Sequence, residues 1–290
     1  MNKNINVKKI VLILTAIVGI SFLLLGAYFL LAFNDVIDIG METHNIDEEK
    51  IFDIENIDEI YIDTTSTDIN VISTNESEVK AHFYGTVKGG YTSLIPKLVA
   101  EEKGSNINID INRKNVINIG FGFVSGDVKL DVYIPEKYEE DLKINTTSGD
   151  IEISRIKVNN FYLDSTSGDI SGIEMETVKS TIDTTSGEVD LEEYIGDLNL
   201  ESISGDINIE YKKFNNDMKI ETTSGNVELL LPKDSKFNFA IDTTSGEIET
   251  DIPVTLKGDI DDDHLEGQVG DSDNDINIDA TSGDVEVNYN

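Results

Sequence analysis

The chain has 290 residues, with 57 Asp and Glu against 22 Lys and Arg, a formal net charge of −35 and no cysteine. The absence of cysteine excludes a disulfide framework, thiolate chemistry and a Cys-based zinc site. The acidic excess argues against nucleic acid, whose recognition needs a basic footprint, and favours solubility, cation binding and cationic partners.

Residues 1–9 carry Lys3, Lys8 and Lys9, and Ile10 to Phe33 then run for 24 positions without a charge. That run exceeds the roughly 20 residues a helix needs to cross a bilayer. Asp35 and Asp38 follow it. The positive-inside rule predicts a single-pass transmembrane helix over 10–33, with residues 1–9 cytoplasmic and the remainder extracytoplasmic. A cleaved signal peptide has a shorter apolar core and a small-x-small site, which neither Ala27-Tyr28-Phe29 nor Ala32-Phe33-Asn34 supplies. All the acidic residues lie beyond this segment, with 19 of the Lys and Arg, so the remainder carries about −38. Such a charge argues against the domain lying on an anionic leaflet. Residues 34–59, rich in Asp, Glu and Asn, read as a spacer.

From residue 60 to 290 the pattern is that of strands. The first unit centres on Ser66, with Ile60, Ile62, Ile69 and Val71 at offsets −6, −4, +3 and +5. Thr67 stands where later units have glycine, so this turn differs from theirs. An insertion of about 83–124 then interrupts the array. Within it Tyr91 to Ala100 reads as a short helix or lid. Gly120-Phe121-Gly122-Phe123-Val124 reads as an apolar tip. If exposed, Phe121 and Phe123 are candidate partner contacts. If buried, they cap the first rungs.

Beyond the insertion the phrase Thr-Thr-Ser-Gly-Asp/Glu, with small variations, recurs around Ser148, Ser167, Ser186, Ser204, Ser224, Ser245 and Ser282, in steps of 19, 19, 18, 20, 21 and 37 residues. In all seven units positions −4 and +3 are apolar, as in Ile144 and Ile151 or Ile182 and Val189. Positions −6 and +5 are apolar in most; Ser180 and Gly172 are among the exceptions. Alternation at −6, −4, +3 and +5 is the period of strands with one buried face, and the i, i+3, i+4 spacing of helices is absent. Pro135 and Pro232 each stand 13 residues before a repeat serine and should end a strand, because proline cannot donate to a ladder. A fixed period near 20 residues means stacked units, each too thin to bury its own core. The predicted fold is therefore all-β: a parallel β-solenoid, single-stranded and β-helix-like, of about 19–20 residues per repeat, preceded by one transmembrane helix. The last strand, Val285 to Tyr289, is expected to leave an open edge.

The residue after each glycine is mostly acidic. In a parallel stack Asp150, Asp169 and Asp206 fall in one column, and Asp261 and Asp263 lie in an acidic stretch in the double-length gap. These five are the candidate calcium ligands, and no other cofactor is implied. Calcium wants six to eight oxygens, whereas Ser and Asp hydrogen-bonding the turn backbone, with Gly at positive φ, explain the same residues by turn chemistry. The histidines His44, His82 and His264 fall in no catalytic motif, and no nucleophile elbow, zinc helix or phosphate loop is present.

The Thr-Thr-Ser-Gly-Asp/Glu phrase, the approaches Val132-Tyr-Ile-Pro135 and Leu229-Leu-Leu-Pro232, and His264-Leu-Glu-Gly-Gln-Val-Gly270 occur together here. Together they resemble the bacterial putative-adhesin family of β-strand-repeat proteins, which includes LiaG-like membrane proteins. The resemblance covers roughly residues 60–290 and implies no catalytic residues. It permits a link to envelope stress. The expected function is a non-enzymatic, membrane-anchored, extracytoplasmic interaction module whose partner is an envelope protein or polysaccharide. The alternatives are a polysaccharide-active enzyme, for which convergent carboxylates near Arg155 would speak, and a calcium-dependent stalk.

Overall fold

A computed structural model describes residues 42–89, 95–112, 125–256 and 263–290. The candidates Phe121, Phe123 and Asp261 and the expected membrane span lie outside them. Among the described residues no helix is long and apolar enough to cross a membrane. Almost all the described residues belong to one compact unit, Asn45–Thr86, Pro96–Lys114 and Asp127–Asn290; those of a second unit are Ile95 and the ends of three strands.

The unit is all-β. Its first strands are β1 (Glu42–Asp53), β2 (Glu59–Ser66), β3 (Asp68–Thr74), β4 (Glu78–Gly89), β5 (Lys97–Lys103), β6 (Asn106–Asn112) and β7 (Ser125–Pro135). The regular repeats supply β8 (Asp141–Ser148), β9 (Ile151–Ser154), β10 (Lys157–Ser165), β11 (Ile170–Ile173), β12 (Glu176–Thr184), β13 (Val189–Ser204), β14 (Ile207–Tyr211), β15 (Met218–Ser224) and β16 (Val227–Leu231). The last are β17 (Phe237–Thr243), β18 (Ile248–Thr250), β19 (Thr255–Leu256), β20 (His264–Val269), β21 (Asp275–Ala280) and β22 (Val285–Tyr289).

Each rung is a strand in one sheet, a Ser-Gly corner, and a strand in a second sheet. Equivalent strands pair in parallel with the repeat offsets in register: Leu163 opposes Ile144 and Ile182, and Ile170 opposes Ile151 and Val189. The apolar columns point between the two sheets and form the core, where Ile60, Ile62, Ile144, Ile182, Val189, Leu200 and Ile220 are all at or near zero exposure. The exceptions to the repeat are accommodated individually. Gly172 leaves room for the Met175 sulfur, which would lie 2.4 Å from an added Cβ. Ser180 receives the Tyr194 hydroxyl at 2.8 Å. Strands end at Pro135 and just before Pro232, as proline's missing donor requires.

Two expectations are corrected. Lys97 to Ala100 is strand, not helix: β5 pairs antiparallel with β6. The alternation Ile107, Ile109, Ile111 already fits a strand, and with β7 it completes a further rung on the outer side of β2 and β3. Nor is the last strand an open edge. Strand β21 lies between β15 and β17, and β22 lies between β16 and β18. The Ser282 rung therefore follows the Ser224 rung in space, and the Ser245 rung sits outside it. The segment from β17 to β20 is thus an insertion that caps the stack, with β20 antiparallel on the outer side of β17. Likewise β4 to β7 form an insertion between the Ser66 and Ser148 rungs, which pair directly. Residues 42–53 of the expected spacer form β1, paired with β4.

Candidate functional site

At the Ser-Gly corner the chain must turn while its neighbours stack at about 4.8 Å. Gly187 has φ +121°, and a Cβ there would stand 2.1 Å from the Gly168 carbonyl oxygen. The same close approach recurs rung by rung. It ends at Thr67, whose carbonyl faces Gly149.

The carboxylates of this corner form a hydrogen-bonded ladder. Asp150 Oδ1 accepts from the Asp169 N–H at 3.1 Å, and Asp169 Oδ1 from the Glu188 N–H at 3.0 Å. Asp206 Oδ1 accepts from the Asn226 N–H at 2.8 Å, and Asn226 Oδ1 does the same for Asp284 at 3.0 Å. Asn226 fits the column because the bond needs an oxygen rather than a charge. Each of these side chains secures the next rung, not its own turn. Asp263 is exposed beside β20, and its carbonyl accepts from the Thr243 N–H. Among the described residues no group of three or more His, Asp or Glu is placed to hold a metal ion.

A second column runs along the outer face of the larger sheet, three residues before each serine. Asp110 opposes Asp63, which opposes Asn145, and Asn145 opposes Asp164. Asp183, Glu201, Glu221, Asp279 and Asp242 continue it in register, and His264 ends it. Over its middle rungs lies an open groove of about 670 Å³, with Asp164, Asp183, Glu201, Glu221 and Asp279 along it. Thr185, Thr223 and Thr281 border one side, and Thr181 and Asn199 the other. Burial pushes the Asp183 carboxyl up, and Glu201 and Asp164 add to the shift. Burial, then Asp63, raises Asp110 in the same way. Lys219 pairs with Glu221 at the groove's edge, and His264 Nδ1 lies 2.6 Å from Asp242 Oδ1.

The apolar positions, the glycine and the acidic residue after it do not point to this face. The signal for this face stands in the same phrase. In Asp63-Thr64-Thr65, Asp183-Thr184-Thr185 and Asp242-Thr243-Thr244, strand alternation sends the first and third side chains outward. The middle residue turns inward: Thr146, Ser165 and Thr184 are buried, and each hydroxyl donates to the carbonyl of its repeat serine at 3.2–3.4 Å. On the other sheet Asp131, 8% exposed, is held by Asn70 Nδ2 at 2.7 Å and by the Tyr133 hydroxyl at 3.3 Å. Arg155 sits at a corner with φ 55°, away from the residues lining the groove.

The family model Toastrack DUF4097 matches residues 57–194 and again 153–288. The chain belongs to the Toastrack DUF4097 family. No curated protein matches it significantly. Among solved structures, this Toastrack chain is similar to a putative cell adhesion protein from Clostridium sporogenes, at 18% identity over 85% of this chain and 100% of that one, with a TM-score of 0.38. A putative adhesin from Bacteroides fragilis matches at 10% identity over 84% and 97%, with a TM-score of 0.40. A putative lipid binding protein from Parabacteroides distasonis matches at 18% identity over 85% and 96%, with a TM-score of 0.34.

Proposed function

We propose that this Toastrack protein is a non-enzymatic interaction module of the cell envelope, of the LiaG-like kind. Residues 10–33 anchor it in the membrane, residues 1–9 are cytoplasmic, and the repeat domain lies outside. It uses the grooved outer face of the larger sheet to engage an extended envelope partner, a polysaccharide or a protein. The observation that carries this reading is the in-register column from Asp110 to Asp242, with threonine hydroxyls bordering its middle rungs. A rigid periodic face presents the same donors and acceptors at each rung, which suits a polymer with amines or hydroxyls along its length.

The test is co-sedimentation of residues 42–290 with insoluble cell-wall material across a salt series. The expected result is binding that weakens with salt and is lost in the Asp183→Asn, Glu201→Gln, Glu221→Gln triple variant. Equal binding by the variant would remove the groove from the reading. Release of soluble fragments from the polymer would replace the module with an enzyme. The anchor is tested separately: full-length protein should sediment with membranes, and a variant lacking 10–33 should not.

A further inference from the structure

The capping strands β17 to β20 are an insertion between two rungs that would otherwise be consecutive. They join the stack through short connections at 232–236 and 270–274. Strand β17 packs on β21 over six residue pairs, but β18 meets β22 over only three. The inward side chains Phe237, Phe239 and Ile241 are buried at this seat, but it is not filled completely. Phe237, Phe239, Leu265, Ile276 and Val287 surround a small apolar void there. Ile248, Val254, Leu256 and Leu265 are only half-buried, whereas Val285 and Ile278 on the rung beneath are fully buried.

We propose that the cap is a hinged element that lifts from the Ser282 rung and exchanges between two copies of the chain. Lifting it uncovers the edge of β21 and β22, a row of unpaired backbone groups beside the apolar columns Ile276, Ile278, Val285 and Val287. Such an edge takes another strand. The strand that fits it in side-chain size, register and Gly-to-Gly stacking is β17 with its own corner, where a Cβ at Gly246 would stand 2.1 Å from the Gly283 carbonyl oxygen. A second copy supplies that strand, which is the logic of domain swapping. In cis the short connections give the cap a high effective concentration, so exchange is favoured where copies are crowded.

The absence of cysteine permits a direct test. Ala240 and Asn277 oppose each other across β17 and β21 on the outer face. Their ladder spacing of about 4.8 Å lies within disulfide range. Full-length Ala240→Cys and Asn277→Cys proteins are mixed under mild oxidation. The double variant in one chain shows that the pair can bond, and Asn199→Cys mixed with Ala240→Cys measures random collision. Exchange predicts a disulfide-linked heterodimer that rises with concentration and exceeds the collision pair several-fold. A yield no greater than collision, with the double variant bridging in cis, overturns the proposal. Failure of the double variant to bridge overturns the β17–β21 seat on which it rests.

Discussion

At most rung corners a single glycine meets two demands. It must hold a positive φ, and it must let the preceding rung's carbonyl approach where a Cβ would lie. Gly187→Ala violates both, with an added Cβ 2.1 Å from Gly168 O. It should destabilise the domain by about 3 kcal/mol or more, because neither backbone can retreat without breaking the stack. Gly104 separates the two demands: its φ is +67°, yet nothing lies within 4 Å of an added Cβ. Gly104→Ala should therefore cost only the left-handed strain, about 1 kcal/mol. Urea unfolding of the two variants measures the difference, and equal losses would refute the crowding argument. Glu174 presents the opposite case, an exposed side chain at φ 53°. Glu174→Gly should stabilise by up to about 1 kcal/mol, less whatever flexibility glycine adds to the unfolded chain. A loss in the same denaturation assay would mean the Glu174 side chain makes a contact worth more than its strain.

Within the larger sheet the carboxylate column works against the ladder that carries it. Asp183 and Asp110 are both pushed up by burial first and then by neighbouring carboxylates. A carboxyl whose pKa is higher folded than unfolded binds its proton more tightly in the folded state. The penalty is therefore full at neutral pH, and is relieved as pH falls through the folded value toward the ordinary 3.8. Asp183→Asn should stabilise the domain at pH 7 by about 0.2–0.5 kcal/mol once solvent screening of an exposed pair is allowed for, read as a higher urea midpoint. The gain should shrink as pH falls through the raised folded value and be lost below the ordinary 3.8; a gain that persists below it would come from something other than charge. This column was legible in the Asp-Thr-Thr phrase, as the strands were legible in the columns at −4 and +3. The order of the rungs was not. Every repeat offers the same registers, so Val227 can oppose Val285 as well as Ile248, and local pattern cannot choose between them. The choice rests on where the connections 232–236 and 270–274 allow the chain to cross. The rung made by β6 and β7 escaped for a related reason: residues 113–124 separate its strands, and the Ser125-Gly126-Asp127 that follows is two residues out of register, Leu130 at its +5 position opposing Ile69 at the +3 position of Ser66.

Over the whole molecule the net charge is −35, and part of the acidic excess is aligned in columns. One column follows the Ser-Gly corners and the other the grooved face, each with a rung spacing of about 4.8 Å. Unit charges at that separation repel by about 1 kcal/mol even in water. Near 0.1 M salt, where the Debye length is about 10 Å, carboxylates three or more rungs apart are largely screened and adjacent ones only in part. Monovalent salt should accordingly raise the melting temperature of residues 42–290 and then level off. Calcium poses a sharper question, because the same columns invite it. Along the corner column Asp150, Asp169 and Asp206 each commit one oxygen to the next rung's N–H. Calcium requires six to eight oxygens around one point, and a line of such carboxylates does not converge. At matched ionic strength calcium should therefore raise the melting temperature no more than magnesium does, and chelator should leave it unchanged. A steep calcium-specific rise would place an ion either in the corner column, with its backbone bonds broken, or on the stretch containing Asp261 and Asp263. Neutralising Asp150 and Asp169 in one variant and Asp261 and Asp263 in another would then decide which, and a stalk stiffened by calcium would displace screening as the account of the charge.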